Sequence, residues 1–470
     1  MPRRISCEGK PMKKRQRILL AVTAVVSVAA LTACGSGSGG KAGGGSNADF
    51  SAKPSGTLNA WGFENADDVG QARLDYAADQ LKGVKIKIEQ TAFDAQKFTA
   101  ATASGQVPDV VQMSSQYVGT YAAKGLIQPL DKCLSANDVT ADHWYDSVIG
   151  DVTYDNTMYA VPQFYQPPAI IVNTRLLEAA GLTNDDIDTS DHERLLSAVT
   201  KLYKESGGNP STLGLDPQVP GTAGLWFLGN GGQIMDEDGK PTLDDAANVE
   251  ALTFLKQLMD AQGGFAKVKS FIDTFDMFGA ENQYVKDQVA AEINAQWYPN
   301  VLAATQANIT INAVPFKDKD GNPFTVASGT AFVIPKGAKN PAAACAWALN
   351  LTSDEAWQAA GDARATTIKN DPDPNRMNTG LFTGSPSADQ AIRDAFVKPT
   401  GNAGFDQVIA TYYDVVGTGK SFGSSAAGQE IQTELATAVT AALNGEKTPE
   451  EALKDGQEAA QRAYDQTTGK

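Results

Sequence analysis

From about residue 55 onward, apolar positions fall into short runs whose period switches between two and 3.6. Val84-Lys85-Ile86-Lys87-Ile88 alternates side for side, the mark of a half-buried strand, and Thr57-Leu58-Asn59-Ala60-Trp61 reads as another. Between them, residues 69–82 space their apolar side chains for one helical face. A helix over 98–104 stops at Gly105, a residue suited to the left-handed turn that ends helices. Pro108-Asp109 then turns the chain into a strand over 110–113, followed by a helix through Tyr121 that ends at Gly125. Strand-like runs recur at 159–162 and 169–172. Helices are expected at 175–180, 192–205, 249–262, 341–352, 354–360 and 428–443, with Asp238-Gly239 and Asp320-Gly321 at turns. Strands and helices alternating across short connections predict an α/β body with largely parallel sheets. There is no internal repeat.

The N-terminal pattern is different. Lys13, Lys14, Arg15 and Arg17 precede an uncharged run from 18 to 33. That run is shorter than the roughly 20 residues needed to span a bilayer, so 1–33 reads as a signal peptide. Met12 stands directly before the basic cluster and is an alternative start to Met1. Leu31-Thr32-Ala33-Cys34 resembles the lipoprotein box of bacteria, which implies cleavage before Cys34 and a lipid on its thiol. Residues 34–52 are rich in Gly and Ser at their start and read as a flexible tether. Gly35, Gly37 and Gly40 match G-x-G-x-x-G by spacing alone, with no strand before and no helix after, which excludes a dinucleotide site there.

Charge and cysteine content narrow the function. The chain carries −16, of which residues 1–33 contribute +6, so the remainder carries −22. Such a body is a poor partner for nucleic acid or for anionic lipid. Its ~420 residues exceed what one core usually serves, which predicts two lobes. Cys133 and Cys345 remain in the body; in an oxidising compartment they form one disulfide or stay as two buried thiols. His143 and His192 are the only histidines, and neither belongs to a zinc-like or Ser-His-Asp spacing. Asp236, Asp238, Asp318 and Asp320 lack the remaining ligands of a calcium loop and read as solvated turns. No metal and no cofactor are expected.

Six blocks of sequence, in order, resemble the extracellular solute-binding proteins of ABC importers, in the sugar-binding group that includes maltose-binding protein. They are ATASGQVPDVV from Ala101 with Gly125-Leu126-Ile127-Gln128-Pro129-Leu130; Met158 to Pro162 with Leu177 to Gly181; Asn230-Gly231-Gly232; Val289-Ala290-Ala291 with Gln296-Trp297; Ser328 to Ala331 with Ile334-Pro335-Lys336; and Glu450 to Leu453. The resemblance implies a two-lobe, type II periplasmic-binding-protein-like α/β fold with a hinge and an inter-lobe cleft. It places an N-terminal lobe at 53–163 plus 326–367 and a C-terminal lobe at 164–325 plus 368–470, with crossings near Phe164, Thr325 and Thr367. It also implies capture of a sugar by lobe closure, delivery to the transmembrane permease subunits, a monomer, and a lipid-anchored location outside the cell membrane. A non-sugar solute (polyol, glycoside or small acid) is the same-fold alternative, and an exported carbohydrate-active enzyme is the alternative from another class.

A sugar presents apolar faces and hydroxyls that both donate and accept, so its site needs aromatic planes and short-reach polar groups. Trp297 matches the family position of a stacking tryptophan, and Trp226 stands just before Asn230 in the third block. Phe63 and Glu64 follow the first strand. Ser115 and Gln116 follow the strand over 110–113, where the maltose-binding member has an acid and a base that this chain lacks. Gln163 and Tyr165, with Phe164 and Gln166, occupy the first crossing. Gly329 and Thr330 follow the second. Arg364 is placed either to clamp a ligand or to form an inter-lobe salt bridge.

Overall fold

The structure is a computed structural model and describes residues 48–63, 67–326, 329–373 and 375–469. The leader, Cys34 and Glu64 lie outside these residues. The body is built around two sheets with a hydrophobic core on each. In the first, the strands run in the order Val84–Glu89, Gly56–Trp61, Val110–Ser114, Thr330–Val333, Ala160–Pro162. In the second, Pro168–Asn173 lies between Ala291–Ala295 and Ile311–Val314. A smaller sheet of Phe316–Lys317, Pro323–Val326 and Gly419–Lys420 packs beside the second.

The expected parallel character holds for the first three strands of the first sheet and for the pair Pro323–Val326 with Gly419–Lys420 in the smaller one. Thr330–Val333 is antiparallel to both of its neighbours, and the second sheet is antiparallel throughout. The reason lies in the path. Thr330–Val333 enters the first sheet from the second-lobe side rather than through a crossover helix, so it runs the opposite way. Pro168–Asn173 is buried at all six positions, which is why its run reads as continuously apolar.

Most helices fall where the pattern placed them, but 192–205 does not run through. It ends at Leu202, and Lys204–Ser206 folds back on Asn209–Thr212. Gly207 and Gly208, at φ 61° and 78°, make the turn that a helix would forbid. The helix expected over 354–360 extends to Asn370 and so continues through Thr367. Beyond it the chain contacts the second lobe, where Gln306 Nε2 donates to the Asn375 carbonyl at 2.9 Å. It returns in helix Pro386–Phe396, packed on Asp354–Asn370, before helix Ala403–Val416 settles on strand Ile311–Val314. Helices Phe265–Ile272 and Pro449–Thr468 were likewise not anticipated.

Cys133 and Cys345 are bonded to each other. They join helix Asp131–Ala136 to helix Pro341–Leu351, both lining the core of the first lobe, and so tie together the two stretches of chain that build it. Among the described residues, no helix is long and apolar enough to cross a membrane.

Candidate functional site

Pro162 ends a strand of the first sheet and Pro168 opens the central strand of the second, so residues 163–167 are a crossing between lobes. Two cavities open along it. The larger, about 400 Å³, has Asp67, Trp357 and Arg364 on its first-lobe side and Trp297 and Asn300 on its second-lobe side. Phe164 and Gln166, from the crossing itself, also line it. The smaller, about 250 Å³, is walled by Gln116 from the first lobe and by Gln218, Asn294 and Phe422 from the second. Gln166 touches both, so the two form one trough along the lobe junction.

The larger cavity is aromatic. Trp297 is half-buried and opens helix Tyr298–Leu302, with its ring edge-on to Tyr298 at 5.6 Å. Trp357 is fully buried on helix Asp354–Asn370, 5.6 Å from the Phe164 ring. Arg73 lies behind both, its guanidinium carbon 4.0 Å from the Trp357 ring centre and 4.9 Å from that of Phe164. Burial pulls the arginine's pKa down, partly opposed by the charge of Asp67. A buried cation between two π faces holds those planes in place.

The charges that face the trough are spent on one another. Arg364 Nη2 meets Asp68 at 2.8 Å and Asp67 at 3.2 Å. Burial works to raise Asp68, but the hydrogen bonds and charge of Arg364 outweigh it and hold the carboxyl below its usual value. Burial likewise disfavours the charged Arg364, and Asp68 more than offsets it. The partners sit on helices Asp68–Gln80 and Asp354–Asn370, which pack together, so the bridge lies on one side of the cleft rather than across it. The smaller cavity has no charged residue in its wall.

One layer beneath that wall, Asp216 and Glu292 lie opposite each other in a parallel bridge, both buried. Gln218 Nε2 donates to Asp216 at 3.2 Å and to Glu292 at 3.1 Å, and Asn294 Nδ2 donates to Glu292 at 3.2 Å. The acids thereby orient two amides whose side chains front the cavity. Gln218 stands at φ 58°, a left-handed conformation unusual for a residue with a side chain, and this pattern of bonds holds it there.

The other sequence candidates are placed unequally. Ser115, Gly329 and Thr330 surround a crevice of only about 10 Å³ under Phe164, room for a water at most. Gln163 is buried in the crossing, its N–H donating to the Thr330 carbonyl at 2.9 Å. Four expectations are corrected. Phe63 does not emerge into the cleft: Gly62, at φ 90°, keeps the chain paired to Glu89, and Phe63 stacks on Phe332 and meets Trp347 edge-on in the first core. Tyr165 is fully buried, edge-on to Tyr145 at 5.5 Å. Trp226 belongs to a helix with Leu225 and Phe227 buried beside it, and packs on Phe316 at 4.8 Å. Asn230 donates to the Ala247 carbonyl at 2.8 Å, fastening the start of the next helix. Sequence reasoning did not single out Gln218, Asn294, Trp357 or Phe422. Among the described residues, no group of three or more His, Cys, Asp or Glu is placed to hold a metal ion.

Comparison with known proteins agrees with this architecture. The profile of the family described as bacterial extracellular solute-binding protein matches residues 65–356, more than half of the chain. The diacetylchitobiose binding protein DasA of Streptomyces coelicolor is 23% identical over 199 residues, which span 41% of this chain and 44% of that protein's length. Among solved structures, CpMnBP1 with mannobiose bound superposes with a TM-score of 0.66 at 22% identity, covering 86% of this chain and 99% of that one. The substrate-binding protein Lmo0181 of Listeria monocytogenes, in complex with cycloalternan, gives 0.66 at 18% identity, covering 88% and 99%. At these identities the structural likeness establishes the two-lobe fold.

Proposed function

Since the chain belongs to the bacterial extracellular solute-binding proteins, we propose that it captures a neutral carbohydrate of more than one ring between its lobes and hands it to the permease of an ABC importer. The observation that carries this reading is the trough itself. Aromatic rings line its larger half, amides line its smaller half, and its charged residues are neutralised by one another. Aromatic faces suit the C–H faces of sugar rings, and amides suit hydroxyls that donate and accept at once. A charged solute would find no unpaired partner among the described wall residues. Relatives whose names carry diacetylchitobiose and mannobiose make carbohydrate the favoured class.

Ligand bridging the lobes favours the closed form because those contacts exist only when the lobes are shut. The body acts as a monomer outside the cell, and the lipid on Cys34 holds it at the membrane. Transport energy comes from other subunits, and this chain performs no hydrolysis. Calorimetry of residues 48–470 against mono- and oligosaccharides tests the reading: stoichiometric binding of an intact neutral oligosaccharide is expected. Response to none of them, or release of new reducing ends, overturns it. A [14C]-palmitate label lost in Cys34→Ala tests the anchor.

A further inference from the structure

The wall of the larger cavity does not stop at Trp297. Phe278 lies beside it, ring centres 6.2 Å apart and planes only 10° from parallel. Phe278 is 73% exposed, the one exposed large hydrophobic side chain among the described residues. Its turn is fixed on both sides. Tyr298, which carries Trp297's edge contact, donates its hydroxyl to the Met277 carbonyl at 3.1 Å. Asn282 Nδ2 donates to the Gly279 carbonyl at 3.3 Å, and Gly279 N–H closes the turn on the Asp276 carbonyl at 3.0 Å. A large apolar ring is thus held in water by a turn tied to Tyr298, the residue that also meets Trp297 of the cavity wall. Holding it there costs hydrophobic free energy that burial elsewhere would recover.

We propose that Phe278 continues the Trp297 surface outward as a second stacking platform, binding the sugar ring that projects from the mouth when the ligand is longer than the cavity holds. The occupant is one further ring of the ligand inside the cavity, because the platform is continuous with the cavity wall through Trp297. This deepens the carbohydrate reading and rests on it: Phe278 sets preference for chain length, and Trp297 serves every length.

The test is calorimetry of the parent, Phe278→Ala and Phe278→Tyr against β-1,4-mannooligosaccharides and chitooligosaccharides of two to six rings. In the series the parent binds, Phe278→Ala weakens the longer members by roughly fivefold, the loss of one aromatic contact, and leaves the shortest bound member within about twofold. Phe278→Tyr restores the longer members. A loss equal at every length, or none at any length, overturns the platform while leaving the carbohydrate reading intact. If the parent binds no member of either series, the platform falls, and the same parent screened against other neutral glycans shows whether the carbohydrate reading falls with it. Because Phe278 is exposed, the thermal midpoint of Phe278→Ala stays at the parent's, which separates these outcomes from misfolding.

Discussion

Gly329 and Phe164 press against each other where two of the inter-lobe segments run side by side: a Cβ on residue 329 would lie 2.1 Å from the Phe164 carbonyl oxygen. That oxygen belongs to backbone, so it cannot rotate away as a side chain would. Only a glycine lets the two segments approach this closely.

Gly329→Ala is therefore expected to cost about 1–3 kcal/mol in urea unfolding, the range for forced overpacking. Gly417→Ala is the control, since a Cβ there meets nothing within 4 Å and its φ of −74° suits any residue. Equal stability of the two variants would show that the crossing segments separate freely.

How far the chain could be read before folding follows from which features are local. Strand Val84–Glu89, the Gly105 helix stop and the two Asp-Gly turns depend on near neighbours, and they stand within a few residues of their expected places. Sheet direction does not: nothing in Thr330–Val333 itself records that it arrives from the other lobe. The site divides in the same way. Trp226 and Trp297 are chemically alike, and both stand beside family blocks. Phe316 and Phe254, brought from other segments, enclose the first, whereas the second has Tyr298 at its edge and the exposed Phe278 beside it and stays half-buried. Gln218 escaped notice because its role comes from two acids 76 residues apart in sequence, aligned only once Asp216 pairs with Glu292.

That acid pair makes a pH prediction. Burial is the main cause that raises both carboxyls above their usual range, and the charge of Asp216 raises Glu292 further. The amides of Gln218 and Gln283 pull the other way, and Lys269 opposes weakly at Asp216; the hydroxyls of Tyr284 and Tyr298 complete the surroundings. With folded pKa values above unfolded ones, the native state holds more protons than the unfolded chain from about pH 4 into the neutral range. Stability from this pair is full below that window and falls as pH rises through it. Glu292→Gln is expected to shrink the drop in melting temperature between pH 5 and pH 8. A drop as large as the parent's would remove the pair as its source.

The disulfide acts through the unfolded chain. It closes a separation of 212 residues, for which the loop-entropy account gives about 5 kcal/mol, the upper end of what is observed. Both cysteines are fully buried in the first lobe, so serines there would add polar groups to an apolar core. Alanines isolate the cross-link better. The double variant Cys133→Ala, Cys345→Ala is expected to lose about 2–4 kcal/mol against denaturant. Reducing agent should lower the parent to nearly the same midpoint and leave the variant unmoved. A parent indifferent to reduction would argue that the two thiols contribute by packing alone.

Two tryptophans separate stability from recognition. Trp226 is 3% exposed and packs against Phe254 and Phe316, so Trp226→Ala leaves a cavity in the second core and is expected to cost about 3–5 kcal/mol of stability. Trp297 is half-buried with a face on the larger cavity, so Trp297→Ala should lose little stability and weaken carbohydrate binding by at least about 1 kcal/mol. Residual binding by folded Trp226→Ala near the parent's affinity, beside weakened binding by Trp297→Ala, is the outcome expected from calorimetry and urea titration of both. Were Trp297→Ala to bind as the parent does, the ring would be filling space at the edge of the second core, and the recognition surface would have to lie along Trp357 and Phe164 alone.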